Sequence, residues 1–343
     1  MKLITIVIPT YNMERYLKRC IESLIIEDSS LFNKLEIIIV NDGSKDNSLN
    51  IAIEYRNRFP ETIIVIDKPN GNYGSCINKG IEIATGKYFR ILDADDFFNT
   101  KCLISLVNFI DEISEYPDLI LTNYQEDYTF NKSKILTAKD IEYKRIYNQK
   151  DLDFRKQTIC VMHGITYKTD ILRASGLKHQ EGISYTDSEY CFYPLNKVQT
   201  VIFLDIILYR YQIGREGQTV SERSYIRNIK QVYMIIDRML CYLENNINNY
   251  PDYLLRNQKK ILLNSLKVYY STILTNKFQH SEDLVKLDNR IYKFNETLYN
   301  EVGQITCLKI PVVKIWRMTK LDANNIIYNR IFILLKVLKA KFL

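Results

Sequence analysis

Residues 1–125 predict a doubly wound α/β unit, and three observations carry that expectation. Short apolar, β-branched runs recur at 3–9, 35–41, 62–66 and 88–93. Stretches with helical periodicity lie between them, so strand and helix alternate. The runs read IIIV or IIVI without polar interruption, as strands of a parallel sheet covered on both faces do.

Each element has its own justification. Met13, Leu17, Cys20, Ile21, Leu24 and Ile25 follow the spacing of one buried helix face, which predicts a helix over 13–25. Asp46 and Ser48 supply capping chemistry ahead of Ile51, Ala52 and Tyr55. A strand is expected at 118–123 after Pro117, whereas 124–160 is polar, aromatic and without a readable period. A strand and short helix follow at 163–176, an acid-bearing helix near 187–196 and an apolar strand at 200–209. From residue 224 the pattern turns helical, with Ile229, Val232, Tyr233, Ile236, Met239 and Leu240 on one stripe. The expected organisation is a catalytic domain at 1–222 and an α-helical domain at 223–343.

Composition excludes several classes. With 343 residues, 46% apolar and 25% charged, and only 11 Gly and 7 Pro, the chain is neither disordered nor fibrous. Its 7 Cys are scattered without a C-x-x-C pair and its His number 3, which argues against structural zinc and a disulfide framework. Met1 runs directly into an apolar strand and no run reaches the roughly 18 apolar residues of a membrane span, so a cytoplasmic protein is expected. The net charge of +7 arises wholly in 308–343, where Lys309, Lys314, Arg317, Lys320, Arg330, Lys336, Lys339 and Lys341 face Asp322 alone. A neutral body offers no basic footprint for nucleic acid.

Chemistry is expected beyond the carboxyl ends of the strands. The first strand ends in Pro9-Thr10-Tyr11-Asn12 and the second in Asn41-Asp42-Gly43-Ser44. The third ends in Asp67-Lys68-Pro69-Asn70-Gly71 and the fourth in Asp93-Ala94-Asp95-Asp96. Acids gathered there without Lys or Arg between them repel, so they call for a cation or a ligand. A turn after Asp93 would let Asp93 and Asp95 address different atoms of one ligand, and hard oxygen ligands suit Mg²⁺ or Mn²⁺. The competing use of this segment is to cap a helix starting near Thr100, and Asp42-Gly43 is equally a turn signal. Gly71-Asn72-Tyr73-Gly74 lacks the dinucleotide-binding spacing.

Taken together, residues 5–12, 37–48, 70–96 and 185–190 resemble the inverting family 2 glycosyltransferases of the glycosyltransferase A (GT-A) fold, over roughly 3–220. The resemblance implies a GT-A-like mixed sheet flanked by helices, a nucleotide diphosphosugar donor, usually UDP-linked, an acceptor hydroxyl, and Mn²⁺ or Mg²⁺ as cofactor. Carried over by position, Pro9, Thr10 and Tyr11 would line the nucleobase, with Asn12 beside them, and Asp42 would accept from the uracil N–H. Gly71, Asn78, Asp93 and Ala94 would belong to the donor site, Asp93 facing ribose or sugar. Asp95, with Asp93, would hold the metal. Asp187 matches the general base. Glu189 is its rival, expected to face away on a helix. Arg215, helped by Gln218 and Thr219, would pair with phosphate oxygens, or else 211–221 is a plain surface loop. His163 lies near the expected acceptor or metal edge, or is structural.

Two departures narrow the resemblance. Cys76-Ile77-Asn78 stands where the family often has A-R-N, and the Q-x-x-R-W signature of polymerising members is absent, which favours addition of one sugar. Residues 325–343 place Ile327, Ile331, Leu334, Leu335, Leu338 and Phe342 on one stripe among lysines, a pattern suited to an anionic bilayer surface or to docking on the chain's own helical domain or on a second subunit. The expected product is a cell-surface glycan such as capsule, O-antigen or exopolysaccharide, built on a glycan or lipid-linked acceptor. An oligomer is left open. The alternatives are a nucleotidyltransferase of similar fold and a catalytically silent sugar-nucleotide or membrane-binding module.

Overall fold

A computed structural model describes residues 1–129, 132–215, 218–276 and 281–319. Strand β1 (Ile4–Thr10) leads to helices α1 (Leu17–Glu22) and α2 (Ser29–Phe32), then to β2 (Leu35–Asn41) and α3 (Ser48–Arg58). Strand β3 (Ile63–Asp67), helix α4 (Asn72–Ile83) and β4 (Tyr88–Ile91) complete the alternation. After the short β5 (Phe97–Phe98) come α5 (Thr100–Glu112), β6 (Leu119–Tyr128), β7 (Lys132–Leu136), β8 (Ile146–Asn148) and β9 (Ile165–Lys168). Helices α6 (Thr169–Ala174) and α7 (Asp187–Phe192) precede the long β10 (Thr200–Ile213).

These strands form one sheet in the order β3-β2-β1-β4-β9-β6-β10-β5, with β7 on β6 and β8 on β10. The β3-β2-β1-β4 half is parallel, and β9 enters antiparallel to both β4 and β6, which makes the sheet mixed. Every residue of β2 is buried, as its uninterrupted apolar run requires. Register puts Thr10 opposite Asn41 and Asn41 opposite Asp67, so three strand ends finish level at one edge. At the opposite edge the buried Glu36 accepts from the Thr5 hydroxyl at 2.6 Å and from the Thr85 backbone and hydroxyl at 2.8 and 2.6 Å, locking the return from α4 to β4.

Helices α8 (Glu222–Arg227), α9 (Ile229–Asn246), α10 (Asp252–Thr275), α11 (Ser281–Phe294), α12 (Glu296–Gly303) and α13 (Val312–Met318) follow. The chain divides into Met1–Gln218 with Asp252–Asn257, and Thr219–Pro251 with Gln258 onward. The break therefore falls at Gln218, slightly ahead of the expected boundary, and a six-residue start of α10 groups with the sheet. In the helical unit Arg317 donates to Asp288 at 2.6 and 3.0 Å, and the Tyr270 hydroxyl reaches the same carboxylate at 2.7 Å. Among the described residues no helix is long and apolar enough to cross a membrane. The amphipathic segment expected at 325–343 lies outside the described residues.

Several expectations shift in detail. The first helix occupies only Leu17–Glu22 of the expected 13–25, because Met13 and Glu14 are drawn off to hydrogen bonds with Ser48 and Asp46. The unreadable 124–160 holds the end of β6, the β6–β7 pairing and β8, an irregular run whose strands are too short for a period to show. Strand β10 continues to Ile213, with register shifts between Leu204 and Tyr209 that break its apolar alternation.

Gly86 stands in the tight return to β4, where an added Cβ would lie 2.4 Å from the Thr5 backbone nitrogen. Gly86→Ala is expected to lose about 1–3 kcal/mol of stability by overpacking against backbone, measured as a fall in the urea midpoint at unchanged slope.

Candidate active site

The loops after β1 and β2 are stitched to each other. Asn12, at φ 54°, donates its backbone N–H to Ser44 Oγ at 3.0 Å and accepts from the Lys45 N–H at 2.8 Å. Its side chain thus braces the loop, beside Pro9, the buried Thr10 and Tyr11, which is 44% exposed. Asp42 is buried, and its Oδ1 accepts from the Lys68 ammonium and from the Gly71 N–H at 2.9 Å. Lys68 thus sets a cation beside the acids of this edge.

Helix α4 begins here, and its first turn reaches a second acid. The Tyr73 hydroxyl donates to Asp93 Oδ1 at 2.9 Å, two residues on from Gly71. Beyond β4 the chain turns, with the Asp96 N–H on the Asp93 carbonyl at 3.0 Å, so Asp93 and Asp95 do serve different partners. Asp95 is ion-paired with Arg215 Nε, and the Asp95 carbonyl accepts from Arg19 at 2.9 Å. Asp96 accepts from the Tyr209 hydroxyl and from the Gln212 N–H, both at 2.7 Å. Helix α5 is capped by Asn99, whose side chain accepts from Lys101 and Cys102, so the acidic run is not needed as a cap.

Crowding has an electrostatic consequence. Burial, the neighbouring Asp95 charge and Asp187 push the Asp93 carboxyl up, against the pull of Tyr73 and Arg215. Asp96 is raised well above its ordinary value by burial and by Asp95 and Asp93. Beside them the His163 ring stacks on Tyr211 at 4.2 Å and meets the edge of Tyr209 at 4.7 Å. Burial and the Arg90 guanidinium lower its pKa to about 3, so it is a neutral imidazole. Arg90, itself fully buried, fixes that loop by donating to the His163 carbonyl.

Asp187 opens α7. Its carboxyl is pushed up to about 6, chiefly by burial, with backbone N–H donors opposing. It adds to the upward push on both Asp93 and Tyr73, so it shares their field. Glu189 is fully buried and spends both oxygens on Gln180, accepting from its backbone N–H at 2.9 Å and its side chain at 3.0 Å. Asn78 is likewise engaged with His179 and Glu181. Gln218 folds the segment after β10, accepting from the Gly214 N–H at 3.0 Å and donating to the Gln212 carbonyl at 2.7 Å.

The structure therefore brings Asp93, Ala94, Asp95, Asp187 and Arg215 to one place, with Asp42 and Gly71 at the far side of the α4 turn. Lys68, Tyr73, Arg19 and Tyr209 are partners the sequence does not single out, and Asp96, named there only within the acidic run, joins them. Lys68 and Tyr73 sit inside strand-end motifs and were open to inspection; Tyr209 lies 116 residues from Asp93 and gave no signal.

The profile described as "Glycosyl transferase family 2" matches residues 5–176, half of the chain. The chain belongs to glycosyl transferase family 2. A glycosyltransferase of Escherichia coli, YibD, is 28% identical over 265 residues, covering 73% of this chain and 74% of that protein. The minor teichoic acid biosynthesis protein GgaB of Bacillus subtilis is 36% identical over 116 residues, covering 34% of this chain and 13% of that protein. Among solved structures, S. aureus TarS 1–349 in complex with UDP-GlcNAc has a TM-score of 0.64 at 18% identity, over 93% of this chain and 92% of that one. That likeness shows the GT-A fold. Membership of family 2 sets a nucleotidyltransferase aside, and this chain is a glycosyltransferase.

The family commonly uses a divalent metal, and the donor set here fits one. Ligand atoms of Asp93, Asp96 and His163 lie within 4.8 Å of one another, and the buried His163 Nδ1 has no hydrogen-bond partner among the described residues. Asp95, the expected first ligand, instead holds Arg215.

Because the raised Asp187 pKa disfavours the ionised fold, stability should be lost as pH rises from about 4, where the unfolded carboxyl ionises, through about 6, and stay lower above. Asp187→Asn should consequently raise the melting temperature at pH 8 and leave it unchanged at pH 4, as read by scanning calorimetry.

Proposed function

We propose that this glycosyltransferase moves a single sugar, with inversion, from a uridine diphosphosugar to a hydroxyl of a growing cell-surface glycan or lipid-linked glycan. The observation that carries this reading is the first turn of α4, where the Gly71 N–H meets Asp42 and the Tyr73 hydroxyl meets Asp93. In this reading one helical turn would span the nucleobase and sugar ends of a single donor site. UDP-GlcNAc in the TarS complex supports the uridine donor, and the name of GgaB supports a surface polymer as product. The basic, amphipathic sequence of 325–343 supports contact with an anionic bilayer on the cytoplasmic side.

In this reading Asp42 accepts from the uracil N–H, with Pro9, Thr10 and Tyr11 around the base. Asp187 takes the proton of the acceptor hydroxyl as its oxygen bonds to the anomeric carbon. The bond from that carbon to the diphosphate breaks on the opposite face, and its electron pair leaves with UDP. A single base suffices, since a neutralised diphosphate departs without a proton. Asp93, with Asp96 and a ring nitrogen of His163, would hold Mn²⁺ or Mg²⁺, and Asp95 would join them on giving up Arg215. When bound, that ion stabilises the charge that grows on the diphosphate. Arg215 pairs with Asp95 here and carries the fork that suits phosphate oxygens.

Release of UDP from UDP-GlcNAc, UDP-glucose and UDP-galactose in Mn²⁺ tests the donor class, and at least one should turn over. With the active donor, Asp187→Asn should lower kcat by roughly 10²–10⁴ while leaving UDP affinity unchanged. Wild-type kcat/KM should fall below about pH 6 as Asp187 takes up a proton. Undiminished turnover of Asp187→Asn would move the base elsewhere.

A further inference from the structure

The segment 177–186 delivers Asp187, and its anchoring is unusual for a surface connection. The Asn78 side chain pairs with both backbone groups of one residue of it: Oδ1 accepts from the His179 N–H at 2.8 Å and Nδ2 donates to the His179 carbonyl at 3.0 Å. The same Nδ2 lies 2.9 Å from Glu181 Oε1. The Gly182 N–H donates to the Gly71 carbonyl at 2.8 Å. Gly74 permits this approach, because a Cβ there would lie 2.2 Å from the Gln180 carbonyl oxygen.

From the other side α7 grips the same residues. Glu189 takes both Gln180 donors, and His179 Nδ1 donates to the Thr186 carbonyl at 3.0 Å while standing 3.6 Å from Glu189 Oε2. His179 and Glu189 side chains are both fully buried. Residues 179–182 are thereby clamped between α4, whose first turn holds Asp42 and Asp93, and α7, which begins with Asp187.

We infer that Asn78 and Glu189 are positioning residues that set Asp187 in register with the donor site by clamping residues 179–182 between α4 and α7. The assignment rests on Asp187 being the base. It gives Asn78 a different task from donor contact, since its amide is engaged by the loop at both ends. It also gives the buried Glu189 a task other than proton transfer, since both of its oxygens are occupied by Gln180.

A double-mutant cycle tests this with UDP release from the active UDP-sugar in Mn²⁺ and calorimetric titration with UDP. Asn78→Ala should lower kcat by roughly 10²-fold, the cost of displacing a catalytic group by about 1 Å, with UDP affinity unchanged. In the Asp187→Asn background the same change should cost less than about twofold, because residues acting through one group do not add. Asn78→Asp, which sets a carboxylate oxygen against the His179 carbonyl and Glu181, should lower kcat no less than Asn78→Ala does, and hydrogen exchange in Asn78→Ala should quicken at 178–190 and not at 88–98. Weakened UDP binding with kcat intact, or a full further loss in the Asp187→Asn background, would overturn the inference. Wild-type turnover by Asp187→Asn alone would instead remove the base assignment, an outcome the single variant reports separately.

Discussion

Repulsion among carboxylates held together away from water is the constraint around which this protein is arranged. Asp93, Asp95 and Asp96 follow one strand, and Asp187 arrives from a distant helix into the same field. Such a group is costly in isolation. The protein meets the cost with hydroxyl donors from Tyr73 and Tyr209, the Gln212 N–H, and the guanidinium of Arg215. What hydrogen bonding leaves over appears as raised carboxyl pKa values, a repulsion that a bound cation would relieve.

Helix α4 turns this local crowding into an ordered edge. Its N-terminal turn contacts the acid after β2 through Gly71 and the acid after β4 through Tyr73. Farther along, Gly74 and Asn78 receive the loop that brings Asp187. The parallel half of the sheet fixes where the strand ends stop, and α4 fixes what they face. In the other direction Arg90 and Glu36 hold the strands from within, one under His163 and the other at the far edge of the sheet.

The parts of this arrangement legible in the sequence are those where chemistry directly follows a strand. Buried parallel strands announce themselves as unbroken apolar runs, and the residues after them are confined to one edge, so Asp42, Asp93 and Asp95 could be singled out from order alone. Their partners could not, because they come from far along the chain: Arg215 is 120 residues from Asp95, and His179 is 101 from Asn78. Asn78 illustrates the limit. Position within a motif suggested donor contact, whereas the side-chain geometry ties it to the loop before Asp187. Glu189 was expected to face away from Asp187, and helical periodicity could not show that it would be fully buried with both oxygens committed.

The clustered acids are expected to receive an ion and a nucleotide together. Electron paramagnetic resonance titration with Mn²⁺, with and without UDP, measures this. One bound ion per chain, held more tightly in the presence of UDP and with UDP held more tightly in return, is the expected result. Equal UDP affinity in Mn²⁺ and in EDTA, with no ion retained, would contradict it.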